Sequence, residues 1–127
     1  MKSKFYTNTQ ESKRLLALGA NPCHAEWVLI KGKPYTTDKD AKYNDPTCIP
    51  CWTIRGLINT LPKRTRGLMP KLPKDCSNAV IIPGDYSVYQ KGSYFYCTNN
   101  MHTARSKTLF GAIYNMLCWM LENNNKR

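Results

Sequence analysis

Apolar residues recur along this chain at two periods, three to four residues in some stretches and two in others, with caps and turns between them. Leu15, Leu16 and Leu18 form the first helical stripe. Ahead of it, Thr7-Asn8-Thr9-Gln10-Glu11 offers a capping box, from Asn8 with Glu11 or Thr7 with Gln10, to satisfy the N–H groups that a helix start leaves open. Gly19 suits the left-handed position that ends such a helix. Asn21-Pro22 predicts a second short helix over 22–25, because proline lacks the N–H and holds the φ of a first turn. The run Trp27-Val28-Leu29-Ile30, closed by Lys31-Gly32, reads as a strand entering a turn.

Residues 33–50 are polar and proline-broken, which predicts a loop. From 51 to 61, Trp52, Ile54, Leu57, Ile58 and Leu61 stand at near-helical spacing between Pro50 and Pro62, so a helix is expected there. Residues 62–75 hold three prolines with Lys63, Arg64, Arg66, Lys71 and Lys74, the composition of a basic surface connector. Strands follow at 79–82, 85–90 and 93–97. A two-residue loop at Lys91-Gly92 would set Tyr89 opposite Tyr94 and Val88 opposite Phe95. Alternation places Tyr86, Val88, Phe95 and Cys97 on one face, the natural core side, and Ser87, Tyr89, Tyr94 and Tyr96 on the other.

The last pattern, 109–121, repeats Leu109, Ile113, Met116, Leu117, Met120 and Leu121 at three- and four-residue steps, the mark of a core-facing helix. Gly111 interrupts it at a cost of about 1 kcal/mol relative to alanine. Together these elements predict an α+β fold. A small antiparallel sheet of three or four strands (27–30, 79–82, 85–90, 93–97) is packed by the 51–61 and 109–121 helices, with a short N-terminal helical pair. The length of 127 residues suits one domain, 1–127, with loops at 33–50 and 62–75, a tail at 123–127, and Trp52 and Trp119 as core anchors.

Charge changes the picture more than composition does. The hydrophobic share of 42% is ordinary for a globular chain, but Lys and Arg number 19 against 8 Asp and Glu, a net +11. Residues 1–45 carry eight cations and five anions, whereas 46–121 carry nine and two. Such a field attracts polyanions, of which nucleic acid is the commonest in cells, and it also serves plain solubility. There is no apolar run of membrane-spanning length, and MKSKFYTNTQESKR lacks the apolar segment of a secretory signal. No membrane partner is expected, and a cytosolic location is. In a reducing cytosol the six cysteines are expected to stay thiols.

Three segments carry a resemblance. They are Gln10-Glu11-Ser12-Lys13-Arg14-Leu15-Leu16 with Leu18-Gly19, Pro22 and Ala25-Glu26; Ile49-Pro50-Cys51-Trp52-Thr53-Ile54 with Leu57-Ile58 and Leu61-Pro62; and Thr108-Leu109-Phe110 with Ala112 and Met116-Leu117-Cys118-Trp119-Met120-Leu121-Glu122-Asn123. In this order, over nearly the whole chain, they resemble a group of small proteins of gut Bacteroidota, their prophages and mobile elements. Members of the group usually carry Asp at the place of Glu26, Ser at that of Thr53 and an acid at that of Gly111. The resemblance implies a phage or mobile-element origin and a bacterial host cytosol. It implies no activity and carries over no catalytic residue.

Candidate chemistry is sparse. Cys48-Ile49-Pro50-Cys51 is a C-x-x-C that can grip zinc from a turn, but a second knuckle is missing, and a buried cysteine commonly serves as a small hydrophobe. With only His24 and His102, and carboxylates scattered, no acid–base pair stands out, so neither an enzyme nor a cofactor is expected. The most suggestive feature is the face of Tyr89, Tyr94 and Tyr96 in so basic a chain, since rings on a sheet stack unpaired bases while cations hold phosphates. A covering helix or simple exposure is the plainer account of the same rings. The function expected is a non-enzymatic nucleic-acid-binding accessory protein, using Lys63, Arg64, Arg66, Lys71 and Lys74 for phosphates and the three tyrosines for bases. The alternative is a protein–protein interaction module, a phage-encoded modulator of a host or defence protein, whose basic surface docks an acidic partner.

Overall fold

A computed structural model describes residues 5–36, 48–63, 72–99 and 101–124. Among them are three α-helices and two antiparallel sheets, of three and four strands, so the α+β class holds. The chain divides into two units, one of Phe5–Thr60 and one from Leu61 onward, and each carries one of the sheets.

In the first unit, α1 (Thr9–Ala17) starts at Asn8. The Asn8 side chain accepts from the Glu11 N–H, and the Glu11 carboxylate accepts from the Asn8 N–H, each within 2.9 Å. Of the two boxes open in the sequence, this is the one that forms. Gly19, at φ 95, lets the chain turn back so that its N–H reaches the Leu16 carbonyl and the Ala20 N–H reaches that of Leu15. Leu15 and Ala20 are both buried, completing the paired hydrogen bonds and apolar contact of a Schellman end. A 3₁₀ turn, Pro22–His24, follows under an Asn21 side-chain cap.

Strand β1 (Trp27–Ile30) is central, with β2 (Lys33–Thr36) on one side and β3 (Cys48–Cys51) on the other. Lys31 and Gly32, at φ 53 and 80, make the β1–β2 connection, both residues left-handed as in a type I′ hairpin turn. Both β2 and β3 lie within the 33–50 stretch expected as loop, and both hold a proline. Pro34 and Pro50 are tolerated because each strand is an edge, where a missing N–H can face away from the ladder. The helix expected from 51 begins later, as α2 (Ile54–Thr60), because the chain is still extended at 51–52.

Backbone pairing with the N-terminal segment holds it there. The Thr7 N–H donates to the Trp52 carbonyl at 2.9 Å, and the Trp52 N–H donates to Thr7 Oγ1 at 3.0 Å. Thr53 then caps α2: its Oγ1 accepts from the Gly56 N–H and its hydroxyl donates to Glu26. At Gly56, α2 meets the 3₁₀ turn so closely that a Cβ would lie 2.6 Å from the His24 carbonyl oxygen.

In the second unit β4 (Ser77–Ile82), β5 (Tyr86–Lys91), β6 (Tyr94–Thr98) and β7 (Thr103–Ser106) follow one another across the sheet. Strand β1 is not part of it, contrary to the single sheet expected, since β1 finds its partners in β2 and β3. The fourth place is taken by β7, whose Thr-Ala-Arg-Ser sequence offers no apolar run to announce a strand. Strand β4 is an edge, and its Val80 and Ile81 are exposed.

Helix α3 (Leu109–Asn124) packs on β6 and β7. It buries Phe110, Ile113, Met116, Leu117 and Met120, and it starts at Thr108, whose Oγ1 accepts from the Gly111 N–H. Gly111 is there for closeness: a Cβ would lie 2.1 Å from Ser106 Oγ. The helix runs through the asparagines at 123 and 124 that were expected to end it, Asn123 donating back to the Trp119 carbonyl. Trp52 is fully buried, whereas Trp119 is half-buried and lies flat against His102, ring centroids 4.3 Å apart. No helix among the described residues is long and apolar enough to cross a membrane.

Candidate functional site

The four-stranded sheet has two chemically distinct faces, set by the register of β5, β6 and β7. Lys91 pairs with Tyr94, Tyr89 with Tyr96, and Ser87 with Thr98; across β6, Tyr96 faces Arg105 and Thr98 faces Thr103. These residues share one face. Val88, Cys97 and Ala104 form a row on the other, with Phe95 and Ser106 beside it. Ser106 lies against Gly111, so α3 occupies the second face and the tyrosines are on the opposite side. The face assignment made from alternation therefore stands.

The pairing within it does not: the turn is Gly92-Ser93, with Gly92 at φ 62, instead of Lys91-Gly92. Glycine at the first of two turn positions is the II′ pattern, and it carries β5 on to Lys91. Opposing residues shift by two, an even number, which changes partners and preserves faces. Tyr89 thus meets Tyr96 instead of Tyr94. Their rings stack with centroids 5.1 Å apart and planes 10° from parallel.

The three predicted tyrosines differ in what they can offer. Tyr89 is buried, 8% exposed, and its hydroxyl pKa is raised, first by that burial and then by Tyr96, Cys76 and Asp75. It braces Tyr96 and presents no open ring. Tyr94 and Tyr96 are half-buried. Over Tyr94 lies the guanidinium of exposed Arg105, 4.7 Å from the ring centroid, in the diagonal cross-strand position that long side chains reach.

The two predicted cations among the described residues, Lys63 and Lys74, lie apart. Lys63 sits at the β4–β5 turn, where its Cα would be 3.0 Å from a Cβ on Gly84. Lys74 lies just ahead of β4, at the other end of that strand, roughly 17 Å along it. Arg64, Arg66 and Lys71 lie outside the described residues. The cations on the tyrosine face are ones that sequence reasoning missed: Arg105, and Lys91, which pairs in register with Tyr94 and holds Asp75 at 3.5 Å. Exposed Lys107 follows at the end of β7. Arg105 had one weak signal, the alternation of Thr103 and Arg105 with the smaller Ala104 and Ser106.

The Cys48/Cys51 candidate is corrected by its secondary structure. The pair lies on β3, not on a turn, and residues three apart on a strand point to opposite faces, so the two thiols cannot chelate one ion. Cys51 is buried and donates to the Thr7 carbonyl; burial, partly opposed by Thr7 hydrogen bonds, pushes its pKa up to about 11. Burial pushes Cys97 up to about 12. Both are protonated at neutral pH and pack as small hydrophobes. Compared with family models, with curated proteins and with solved structures, the chain matches none.

Proposed function

We propose that this is a non-enzymatic nucleic-acid-binding accessory protein, of the phage or mobile-element origin that its sequence resemblance implies, and that Tyr94, Tyr96 and Arg105 form its contact face. The observation that carries the reading is the Arg105 guanidinium over the Tyr94 ring, on the sheet face opposite α3. A planar guanidinium suits phosphate, which it binds through paired N–H groups, while tyrosine rings suit bases. Lys91 adds a second cation to this face, exposed Lys107 follows the end of β7, and the net +11 of the chain adds a long-range attraction.

Amide chemical-shift mapping during titration with an oligonucleotide tests this assignment. The largest shifts are expected in β5–β7 around Tyr94, Tyr96 and Arg105, and Arg105→Glu should weaken binding without altering the unligated spectrum beyond its neighbours. Shifts confined to other segments would remove the assignment. The second reading, a protein-binding module, is favoured by one observation, the exposed and uncharged edge of β4, on which an extended segment of an acidic protein would add a strand. In that case Ile81→Lys would abolish capture of the partner, and Arg105→Glu would not.

A further inference from the structure

Resting on the nucleic-acid reading, we infer that the ligand of this face is a single strand, with successive bases on Tyr94 and Tyr96 and a phosphate of that strand on Arg105. Tyr94 and Tyr96 are two residues apart on one strand, which sets their side chains roughly 7 Å apart on the same face. Bases in a duplex follow one another at about 3.4 Å. Two neighbouring bases on these rings are therefore separated by about twice their duplex distance and have left each other's stack. Only a strand free of its complement can do this, because duplex bases have both ring faces covered and expose only their edges.

The ring faces make the same selection. One face of Tyr96 is taken by Tyr89, and one face of Tyr94 by Arg105, so each ring can take at most one base. Arg105 stands opposite Tyr96 in register and over Tyr94, within side-chain reach of a phosphate of a strand whose bases lie on these rings. The tyrosine rings read no base edge, which makes the contact tolerant of sequence. Ribose and deoxyribose strands share this chemistry.

Affinities for a short oligothymidylate, the matching oligouridylate and a DNA duplex of mixed sequence, measured for the full chain, test the inference. Either single strand, or both, should bind more tightly than the duplex, and the comparison of the two identifies the sugar. Tyr94→Ala and Tyr96→Ala should each lower single-strand affinity by roughly 5- to 150-fold, the equivalent of one stacked base, and leave duplex affinity unchanged. Tyr94→Phe and Tyr96→Phe keep the ring and should retain the affinity, which separates stacking from loss of fold. Equal affinity for duplex would overturn the inference and leave the nucleic-acid reading standing, whereas alanine variants that bind single strands as well as the parent would overturn the inference and the contact face with it. Failure of all three ligands to bind would overturn both.

Discussion

Tyr89 lies directly opposite Tyr96, β5 to β6, with the two rings stacked 5.1 Å apart. Both rings lie on the sheet face opposite α3, one buried and the other half-buried, so Tyr89 backs the ring that the proposed contact face presents. Tyr89→Ala removes a buried ring and should destabilise the protein by about 3–5 kcal/mol, read as a lowered denaturant midpoint. Tyr89→Phe keeps the stack and should cost less than about 1.5 kcal/mol while leaving oligonucleotide affinity within twofold or so of the parent. A Phe variant that folds but loses binding would show that the Tyr89 hydroxyl touches the ligand.

Thr7 ties the N-terminal segment to the strand and helix that follow. Its hydroxyl accepts from the Trp52 N–H and bonds Ser12 Oγ at 2.7 Å, all within the interior. Thr7→Val keeps the shape and strips the acceptor, orphaning a buried donor at a cost of about 1–3 kcal/mol. Thr7→Ser keeps the hydroxyl and should cost less; a Thr7→Val variant as stable as the parent would remove the hydroxyl from the account.

Gly111 and Ser106 are coupled by closeness. Gly111→Ala puts a methyl 2.1 Å from Ser106 Oγ and 2.8 Å from its Cβ, so the usual helix gain from alanine gives way to overpacking of about 1–3 kcal/mol. Adding Ser106→Gly removes the two closest atoms, leaving Thr108 Oγ1 at 2.9 Å, and should recover much of that loss. A double-mutant cycle by chemical denaturation measures the coupling, and additive losses would contradict it.

Alkaline stability should follow the buried thiols. Cys51 and Cys97 are raised from an ordinary 9.0 to about 11 and about 12, so both states hold the proton below pH 9. Above it the unfolded chain ionises first, and stability falls as pH rises towards the folded values, by up to about 1.4 kcal/mol per pH unit for each thiol. Unfolding midpoints of the parent and Cys97→Ala, followed from neutral pH to about pH 11, should converge as pH rises, because the variant lacks one of the two thiols. Parallel curves would remove Cys97 from the account.

Local chemistry was legible where neighbours in sequence decide the structure. Asn8 with Glu11, Gly19, Asn21-Pro22 and Lys31-Gly32 each specify a cap or turn over a few residues, and each is found in place. What escaped was decided by distant partners. Pro34 and Pro50 hid β2 and β3 because nothing local shows that a strand will be an edge. Trp52 looked helical because its pairing with Thr7 spans 45 residues. The small residues of β7 left Arg105 without a strand to sit on, so the residue that now defines the site was overlooked. The tyrosine face survived a register error only because that error was even.

The most direct test of a nucleic-acid function is the affinity of the full chain for an oligothymidylate over a series of salt concentrations. With Lys91, Arg105 and Lys107 as the phosphate contacts, the plot of log affinity against log salt should have a slope of about −2, and Arg105→Ala should reduce its magnitude by about 0.7. Dissociation constants of about 1–100 μM are expected near physiological salt, tightening as salt is lowered. Negligible binding at about 50 mM salt, or an affinity that ignores salt, would contradict the account.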